Sequence, residues 1–217
     1  MKKQQKTRLF TSIALLAAFV LWTVLVRLVD RQGIGPEGSV VGFAAFNGWF
    51  HKLTGVHFFL YDLTDLLSII PLGLILAFAV LGVVQWIRRK SPWQVDHDIL
   101  ALGGFYALVM VIFVLFEVVE INYRPVLIEG VLETSYPSST TMLALCVMLT
   151  AMMILRKRIA NKKLNTVVCI VILAFTAFMV IGRLISGVHW ITDIIGGAIL
   201  SAGLVTLYGF LCEWKTK

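Results

Sequence analysis

Long apolar segments recur along the chain and alternate with short polar or turn-rich stretches. Five of these segments lack Asp, Glu, Lys and Arg altogether, and a sixth, residues 9–28, carries only Arg27 near its end. The five cover residues 66–87, 99–116, 134–155, 164–182 and 194–212. Each has about the ~20 residues that an α-helix needs to cross the hydrocarbon core of a bilayer. The pattern therefore predicts six transmembrane helices.

A shorter apolar stretch, residues 38–50, follows a turn-rich loop and cannot span a bilayer by itself. It predicts a short helix that is interfacial or re-entrant. Six spans leave little of the 217 residues for anything else. We therefore expect an all-α integral membrane protein, a bundle of six transmembrane helices plus this short helix, in a single domain of residues 1–217.

Composition agrees with a membrane protein, and the charges orient it. The chain is 59% hydrophobic and 14% charged, with a mean hydropathy of +0.90, which excludes an ordinary soluble domain. Of the 19 Lys and Arg residues, 14 lie at the two chain ends or in the loops after the second and fourth spans. The positive-inside rule assigns these regions to the cytoplasm. We expect a multi-pass protein of the cell membrane with both termini in the cytoplasm.

The remaining compositional features add little chemistry. The net charge of +7 comes from short juxtamembrane clusters, so it predicts no nucleic-acid partner. The apolar run near the N-terminus has no small-residue cleavage site, which favours an uncleaved anchor. Cys146, Cys169 and Cys212 lie in apolar spans and are expected to be packing residues. The compact size, without a eukaryotic targeting signal, favours a bacterial membrane.

Ionisable residues gather at one membrane edge, between the last two spans. Arg183 follows Gly182 and is expected in a glycine-bounded loop, where its planar guanidinium suits a pair of phosphate oxygens. His189 and Asp193 are four residues apart, so on a helix they share a face and the carboxylate can hold the imidazole. Ionisable groups at such a depth usually serve function. The combination predicts phosphoryl chemistry on a lipid.

Two further segments end at the same predicted edge. Span three is followed by Arg124-Pro125, and span four begins after Ser138-Ser139-Thr140. Two arginines and a helix N-terminus would form a phosphate cradle, because first-turn amides are free and the helix dipole is positive there. A neutral imidazole can attack phosphorus and form a phosphohistidine. This chemistry needs positioning and charge stabilisation, so we predict no metal and no cofactor.

At these residues the chain resembles the type 2 phosphatidic acid phosphatase family of membrane lipid phosphatases. The family motifs are Lys-x6-Arg-Pro, Pro-Ser-Gly-His and Ser-Arg-x5-His-x3-Asp. The third is matched by Arg183, His189 and Asp193, and the first by Arg124-Pro125. The second is matched only by Pro137-Ser138. The resemblance implies that His189 is the nucleophile, that Asp193 orients it, and that both arginines bind phosphate.

The departures from the family motifs concern the general acid. Thr140 stands where the family has a proton-donating histidine, and Glu117 stands where it has lysine. Three interpretations are open: Glu117 is kept protonated by burial and is itself the acid; the leaving group is a phosphate that needs little protonation; or Glu117 faces the cation of a zwitterionic headgroup. A purely structural Glu117–Arg124 ion pair, on one helical face with Glu120, is a fourth possibility.

We therefore predict an outward-facing lipid phosphatase or phosphotransferase that acts on a membrane lipid phosphate or diphosphate. Its predicted catalytic residues are His189, Asp193 and Glu117. Its predicted substrate-binding residues are Arg124, Arg183, Ser138, Ser139 and Thr140, although helix capping alone also explains the three hydroxyl residues. The competing hypotheses are a degenerate lipid-phosphate binder or transporter and a small scaffold subunit.

Overall fold

The computed structural model describes residues 3–214, and eight α-helices account for most of them. They are α1 (Lys3–Leu28), α2 (Ala44–Thr54), α3 (Phe58–Leu67), α4 (Ile69–Arg89), α5 (His97–Val118), α6 (Ser139–Arg158), α7 (Lys162–Ile185) and α8 (Ile191–Trp214). Within the described residues, β-structure is limited to three isolated bridges. Six helical units are long and apolar enough to cross a membrane, with α3 and α4 joined as one 32-residue unit, Phe58–Arg89. The predicted all-α fold with six spans is confirmed.

The boundaries of three spans differ from the sequence prediction. The second span begins at Phe58 rather than near residue 66, because α3 runs into α4 across Ser68, whose backbone is itself helical. The fourth begins at Ser139, since the proline-containing segment before it is extended and Ser138 caps the helix. The third ends at Val118, six residues before the position of Arg124.

Helices α6 and α8 form the centre of the bundle. In each of them 56% of the most apolar window is buried, against 11–22% in the other four spans. Their buried side chains, such as Met142 and Leu204, belong to one apolar core with Phe19 of α1. The Ser12 hydroxyl of α1 donates to the Gly203 carbonyl of α8 at 3.0 Å. The surrounding helices therefore present apolar faces outward, as a lipid environment requires.

The two ends of the bundle have different chemistry. One end, which we call the basic end, carries the starts of α1, α5 and α7 and the ends of α4, α6 and α8. There Arg158 bridges Asp98 at 2.9 Å and Asp96 at 3.1 Å, and Arg89 reaches Asp96 at 2.8 Å. The opposite end, which we call the site end, collects the residues with predicted chemistry.

The short helix predicted near residues 38–50 is α2, displaced towards Ala44–Thr54. It lies at the site end and is fixed to α8 by Asn47, whose Nδ2 donates to the Thr192 hydroxyl at 2.9 Å. Its other face exposes Trp49 and Leu53. This division into an anchored face and an exposed apolar face is what an interfacial helix presents.

Candidate active site

Three segments distant in the sequence meet at the site end. They are the loop between α5 and α6 (residues 119–138), the first turn of α6, and the loop between α7 and α8 (residues 186–190) with the start of α8. Main-chain bonds connect them: Ser138 N donates to the Asp193 carbonyl at 3.1 Å. Ser135 N donates to the Asn122 carbonyl at 2.9 Å. Every one of the predicted site residues lies on, or directly beside, these segments.

His189 is buried in the α7–α8 loop with both ring nitrogens engaged. Its Nδ1 lies 3.1 Å from the Ser135 carbonyl oxygen, and its Nε2 lies 3.2 Å from Nη1 of Arg124. A carbonyl only accepts and a guanidinium only donates. The two contacts therefore define a neutral imidazole with the proton on Nδ1 and the lone pair on Nε2.

Asp193 lies beside His189 but its carboxylate bonds elsewhere. The closest approach, His189 Nδ1 to Asp193 Oδ2, is 3.9 Å, which is longer than a hydrogen bond. Oδ2 accepts from Trp190 N at 3.0 Å and Oδ1 accepts from Asn122 Nδ2 at 3.1 Å. The expectation that a shared helix would place this carboxylate on the imidazole is corrected, because α8 begins only at Ile191 and His189 lies in the preceding loop.

Asn122 is a buried residue that the motif analysis missed. Besides holding Asp193, its Oδ1 accepts from Gly42 N at 3.2 Å. Its main-chain oxygen accepts both the amide and the hydroxyl of Ser135, at 2.9 and 3.2 Å. Since the Ser135 carbonyl contacts His189, this one asparagine connects the segment before Arg124 with both halves of the His189–Asp193 pair. An isolated Asn in a loop gives no sequence signal for such a role.

Arg124 is buried beside the imidazole and paired with Glu133 rather than with Glu117. Its Nε lies 2.9 Å from Glu133 Oε2, and its side chain is only 10% exposed. The proposed Glu117–Arg124 helical pair is wrong, because α5 ends at Val118 and Arg124 lies in an extended loop. Arg124 N donates to the Glu133 carbonyl at 2.9 Å, which holds the two side chains next to each other.

Arg183 lies in the last turn of α7, not in a loop as expected. Its side chain is 2% exposed and lies against α3. Nη1 donates to the Thr64 hydroxyl at 3.2 Å, Nη2 approaches Asp65 Oδ1 at 3.7 Å, and the guanidinium carbon lies 4.5 Å from the ring centre of Tyr61. Its Nε is buried without a hydrogen-bond partner. Arg183 therefore keeps one buried donor, Nε, that makes no hydrogen bond.

Gly182 explains one departure from the family motif. A Cβ at this position would lie 2.9 Å from the Thr64 methyl group. Because Thr64 also contacts Arg183, glycine lets α7 approach α3 closely enough for that bond. The family serine would not fit at this distance without a shift.

The electrostatics of the site favour the neutral imidazole. Burial, followed by the positive charges of Arg124 and Arg183, lowers the pKa of His189 well below its usual 6.5. His189 is therefore an unprotonated base at neutral pH and below.

The hydroxyl residues at the start of α6 divide into different roles. Ser138 is buried and caps the helix by accepting from Thr141 N at 3.4 Å, as the capping interpretation predicted. Ser139 lines a hollow together with His189 and Arg124. Thr140 lies in a neighbouring apolar groove instead.

That polar hollow brings together some of the predicted site residues, whereas Asp193 and Arg183 are not among the residues that line it. Glu117, Arg124, Ser139 and His189 line it, with Tyr136 and other residues of the α5–α6 loop. Its free volume is about 20 Å³, close to that of a single probe-sized water. A phosphoryl group can enter only if a side chain moves, and Arg124 covers Nε2 of His189. Within residues 3–214 no cluster of three His, Cys, Asp or Glu side chains could hold a metal ion.

Glu117 lies at the mouth of the polar hollow and is exposed. It also borders an open vestibule with Arg124 and Glu133. Its Oε2 accepts from the Thr134 hydroxyl at 3.4 Å. The burial that was expected to keep Glu117 protonated is therefore absent, although the residue does face the site.

The loop that carries His189 is braced by the segment around α2. His51 Nε2 lies 3.0 Å from the Gly187 carbonyl, and His57 N donates to the Ser186 carbonyl at 2.9 Å. Gly187 has a φ of +70°, and a Cβ there would lie 2.1 Å from the Gly55 carbonyl oxygen. Only glycine fits this turn, since other residues are both strained and obstructed.

Comparisons with known proteins agree with this geometry. Residues 115–216 match the family model of the PAP2 superfamily, and this range contains every predicted site residue. By structure the chain is similar to the first transmembrane PAP2 type phosphatidylglycerolphosphate phosphatase from Bacillus subtilis. The TM-score is 0.61 at 21% sequence identity, over 95% of this chain and 98% of that chain. The sequence has no match among curated proteins.

The structure is that of a multi-span helical membrane protein, and its fold is similar to that of a transmembrane PAP2 type phosphatase. The match to the PAP2 superfamily model covers the second half of the chain, where the candidate site lies. The predicted family resemblance is thereby confirmed.

Proposed function

We propose that this protein is a membrane lipid phosphatase or phosphotransferase that works through a phosphohistidine at His189. The observation that carries the proposal is the engagement of His189 Nδ1 by the Ser135 carbonyl at 3.1 Å. That contact leaves the Nε2 lone pair directed at Arg124, in a hollow lined by Ser139 and Glu117. A buried, neutral, oriented imidazole beside a cation is what attack on a phosphate ester requires.

In the first half of the reaction, His189 Nε2 attacks phosphorus. The N–P bond forms, the P–O bond breaks, and its electron pair leaves with the lipid oxygen. Arg124 moves from Nε2 onto the phosphoryl oxygens. Arg183, whose guanidinium lies against α3 and does not line the hollow, contributes its positive charge from a distance. Asp193 stabilises the imidazole as it becomes cationic, acting across 3.9 Å.

In the second half, water or a lipid hydroxyl attacks phosphorus and the N–P electron pair returns to Nε2. Glu117 is the acid–base group in this scheme, because its carboxylate borders both the polar hollow and the open vestibule. As a carboxylate it accepts the proton of the attacking water. The protonated form then donates to the next leaving oxygen, and a phosphate leaving group would need this donation least.

A lipid substrate follows from the surroundings of the hollow. A groove of about 260 Å³, which we call the site-end groove, is lined mainly by apolar residues of α4, α5 and α6. It shares Phe113, Ser139 and Met142 with the polar hollow. A phosphate at His189 can thus continue directly into an apolar tail.

The site is proposed to face outward. Lysines and arginines are concentrated at the basic end, which the positive-inside rule places in the cytoplasm. The site end then lies on the other side of the membrane. Membrane-impermeant thiol labelling tests this: with the native cysteines replaced by serine, a cysteine introduced at the exposed Arg31 should react in intact cells, and one at the exposed Asn161 should not.

The activity is tested by measuring phosphate release from a panel of lipid monophosphates and diphosphates, with alkaline trapping of phosphohistidine. The wild-type protein should release phosphate and accumulate the label at His189. His189→Ala should do neither. With a diphosphate substrate, whose phosphate leaving group needs little protonation, Glu117→Gln should still trap label but release it slowly, since it lacks the base for the second half.

The control is His57→Ala, because the exposed imidazole bonds to the nearby Thr54 carbonyl at 2.8 Å, and the main-chain bond from His57 to Ser186 is kept in the alanine variant. It should retain wild-type turnover and labelling. Full activity in His189→Ala would refute the nucleophile assignment. Lipid-phosphate binding without release or labelling across the panel would identify a non-catalytic binder or transporter.

A further inference from the structure

The first turn of α8, which carries Asp193, is only half capped by its own residues. In a capping box, the side chain at the N-cap accepts a first-turn amide, and the side chain three positions later accepts the N-cap amide. Asp193 supplies the second half, because its Oδ2 accepts from Trp190 N at 3.0 Å. Trp190 cannot supply the first half, since an indole only donates. The missing acceptor must come from another part of the fold.

Asn47 of α2 supplies that acceptor. Its Oδ1 accepts from Thr192 N at 3.3 Å, and its Nδ2 donates to the Thr192 hydroxyl at 2.9 Å. Thr192 is the second residue of α8 and directly precedes Asp193. Asn47 is 1% exposed, so bulk water does not compete for these bonds. The asparagine therefore fixes the main chain from which the Asp193 carboxylate projects.

A second route leads from Asn47 to the same carboxylate. Asn47 Nδ2 also donates to the Gly42 carbonyl at 2.7 Å, and Gly42 N donates to Asn122 Oδ1 at 3.2 Å. Asn122 Nδ2 in turn donates to Asp193 Oδ1 at 3.1 Å. Gly42 itself is packed directly on α1, since a Cβ there would overlap the Val26 carbonyl oxygen. The intermediate main chain is thus held rigidly between the two asparagines.

We propose that Asn47 is a positioning residue for the reaction, because both of its hydrogen-bonding routes orient the Asp193 carboxylate beside His189. This rests on the proposed function, in which Asp193 stabilises the imidazole as it becomes cationic. The carboxylate lies 3.9 Å from His189 Nδ1, so its place is set by these supports and not by a direct hydrogen bond to the ring. Asn47 lies outside residues 115–216, the range that matches the family model.

Asn47→Leu tests the proposal, because it removes all of these bonds with a side chain of similar size. The turnover number kcat should fall about tenfold, the order of one net hydrogen bond lost at a site, while KM stays within about twofold. KM is spared because Asn47 does not line the polar hollow. Single-turnover formation of phosphohistidine should slow by the same factor as kcat, since Asp193 acts in that step.

Ser12→Ala is the matched control for a general loosening of α8. The Ser12 hydroxyl is also buried and also joins another helix to α8, through the Gly203 carbonyl at 3.0 Å. That contact lies about 15 Å along the helix from Asp193. Ser12→Ala should lower the Tm but leave kcat and KM unchanged. A loss of kcat as large as that in Asn47→Leu would overturn the proposal, since any weakening of α8 would then suffice.

A double-mutant cycle tests whether Asn47 acts through Asp193. Asp193→Asn keeps the size of the side chain and removes its charge. In that background, Asn47→Leu should change the rate of single-turnover labelling by less than about twofold, because the group that it positions no longer works. A full tenfold loss in the Asp193→Asn background would show that Asn47 acts by another route, and would contradict the proposal.

A spectroscopic measurement keeps this proposal separable from the proposed function. With isotope-labelled histidine, the NMR resonance of the His189 ring nitrogens is assigned by its loss in His189→Ala. Asn47→Leu should shift this resonance, because the nearby carboxylate moves, and Ser12→Ala should not. Absent phosphate release with this shift present would refute the phosphatase and keep the positioning role. An unmoved His189 resonance in Asn47→Leu would overturn the positioning role.

Asn47→Ala replaces Asn47→Leu if the leucine variant does not elute and melt as a folded protein. It removes the same hydrogen bonds without adding a branched side chain. The same pattern of lower kcat, unchanged KM and shifted His189 resonance is expected. Unchanged kcat in a folded Asn47→Ala protein would also count against the proposal.

Discussion

Two substitutions of Arg124 should distinguish the effect of its positive charge from the effect of its planar shape. In Arg124→Gln the positive charge next to His189 is lost, whereas Arg124→Lys keeps the charge but loses the planar, two-pronged donor. Arg124 Nη1 lies 3.2 Å from His189 Nε2. Removing this repulsion should raise the pKa of His189, which burial and both arginines hold below 6.5.

The size of the shift follows from Coulomb's law. Two unit charges about 4 Å apart repel by about 4 kcal/mol at an effective dielectric constant of about 20. Because ~1.4 kcal/mol corresponds to one pK unit, removing the Arg124 charge can raise the pKa of His189 by at most about three. Burial is the larger cause and remains in the variant, so a partial recovery towards 6.5 is expected.

The direction of the pKa shift determines the pH dependence that the assay should show. Only the neutral imidazole is a nucleophile, so phosphohistidine formation falls as the pH drops through the His189 pKa. The acid limb of single-turnover labelling should therefore move to higher pH in Arg124→Gln and stay near its wild-type position in Arg124→Lys. Both variants should label more slowly, by about 10²–10³-fold if Arg124 stabilises the transition-state oxyanion.

Glu133→Gln is the matched control, because it removes the 2.9 Å ion pair while leaving the guanidinium in place. Its acid limb should not move to higher pH. Identical acid limbs in Arg124→Gln and the wild type would refute the claim that Arg124 sets the protonation of the nucleophile.

Three more predictions test the surroundings. Asn122→Leu should lower turnover by roughly ten- to a hundredfold, because it removes a hydrogen bond to the Asp193 carboxylate worth about 1.5–3 kcal/mol; initial-rate kinetics with a melting curve check this. Gly187→Ala should destabilise the protein by more than about 1 kcal/mol through its left-handed backbone and its contact with Gly55, visible as a lower Tm. Arg158→Gln should cost at most about 1 kcal/mol, since its ion pairs are partly exposed, and phosphate release should be unchanged.

The fold was largely predictable because a bilayer constrains the sequence strongly. Each apolar run of span length is a helix in the structure, and so is the short amphipathic segment. The errors concern the residues at which helices begin and end. The second span is longer than its charge-free run, since Asp62 and Asp65 are tolerated on α3 at the site end. A pattern based on absent charge cannot detect a helix that continues into a polar region.

The sequence predicted which candidate residues would lie at the site end, but not the contacts that they make there. His189, Arg124 and Arg183 come from motif positions, yet their partners come from loop conformation. The acceptor for His189 is the main-chain oxygen of Ser135, and any residue has such an oxygen. Glu133 reaches Arg124 because the α5–α6 loop folds back on itself. The predicted Glu117–Arg124 pair assumed that the helix continues to Arg124. It is wrong because α5 ends at Val118.

Each arginine that is proposed to bind phosphate is paired with a carboxylate, and this pairing has a consequence for the proposed turnover. Arg124 rests on Glu133 and Arg183 rests near Asp65, so the empty site holds no uncompensated cation. An arriving anion must therefore take the place of two internal competitors, and its affinity is reduced by the free energy of those lost pairs. In the proposed mechanism the same carboxylates pair with the arginines again once water has broken the N–P bond, which should speed the departure of inorganic phosphate and limit inhibition by product.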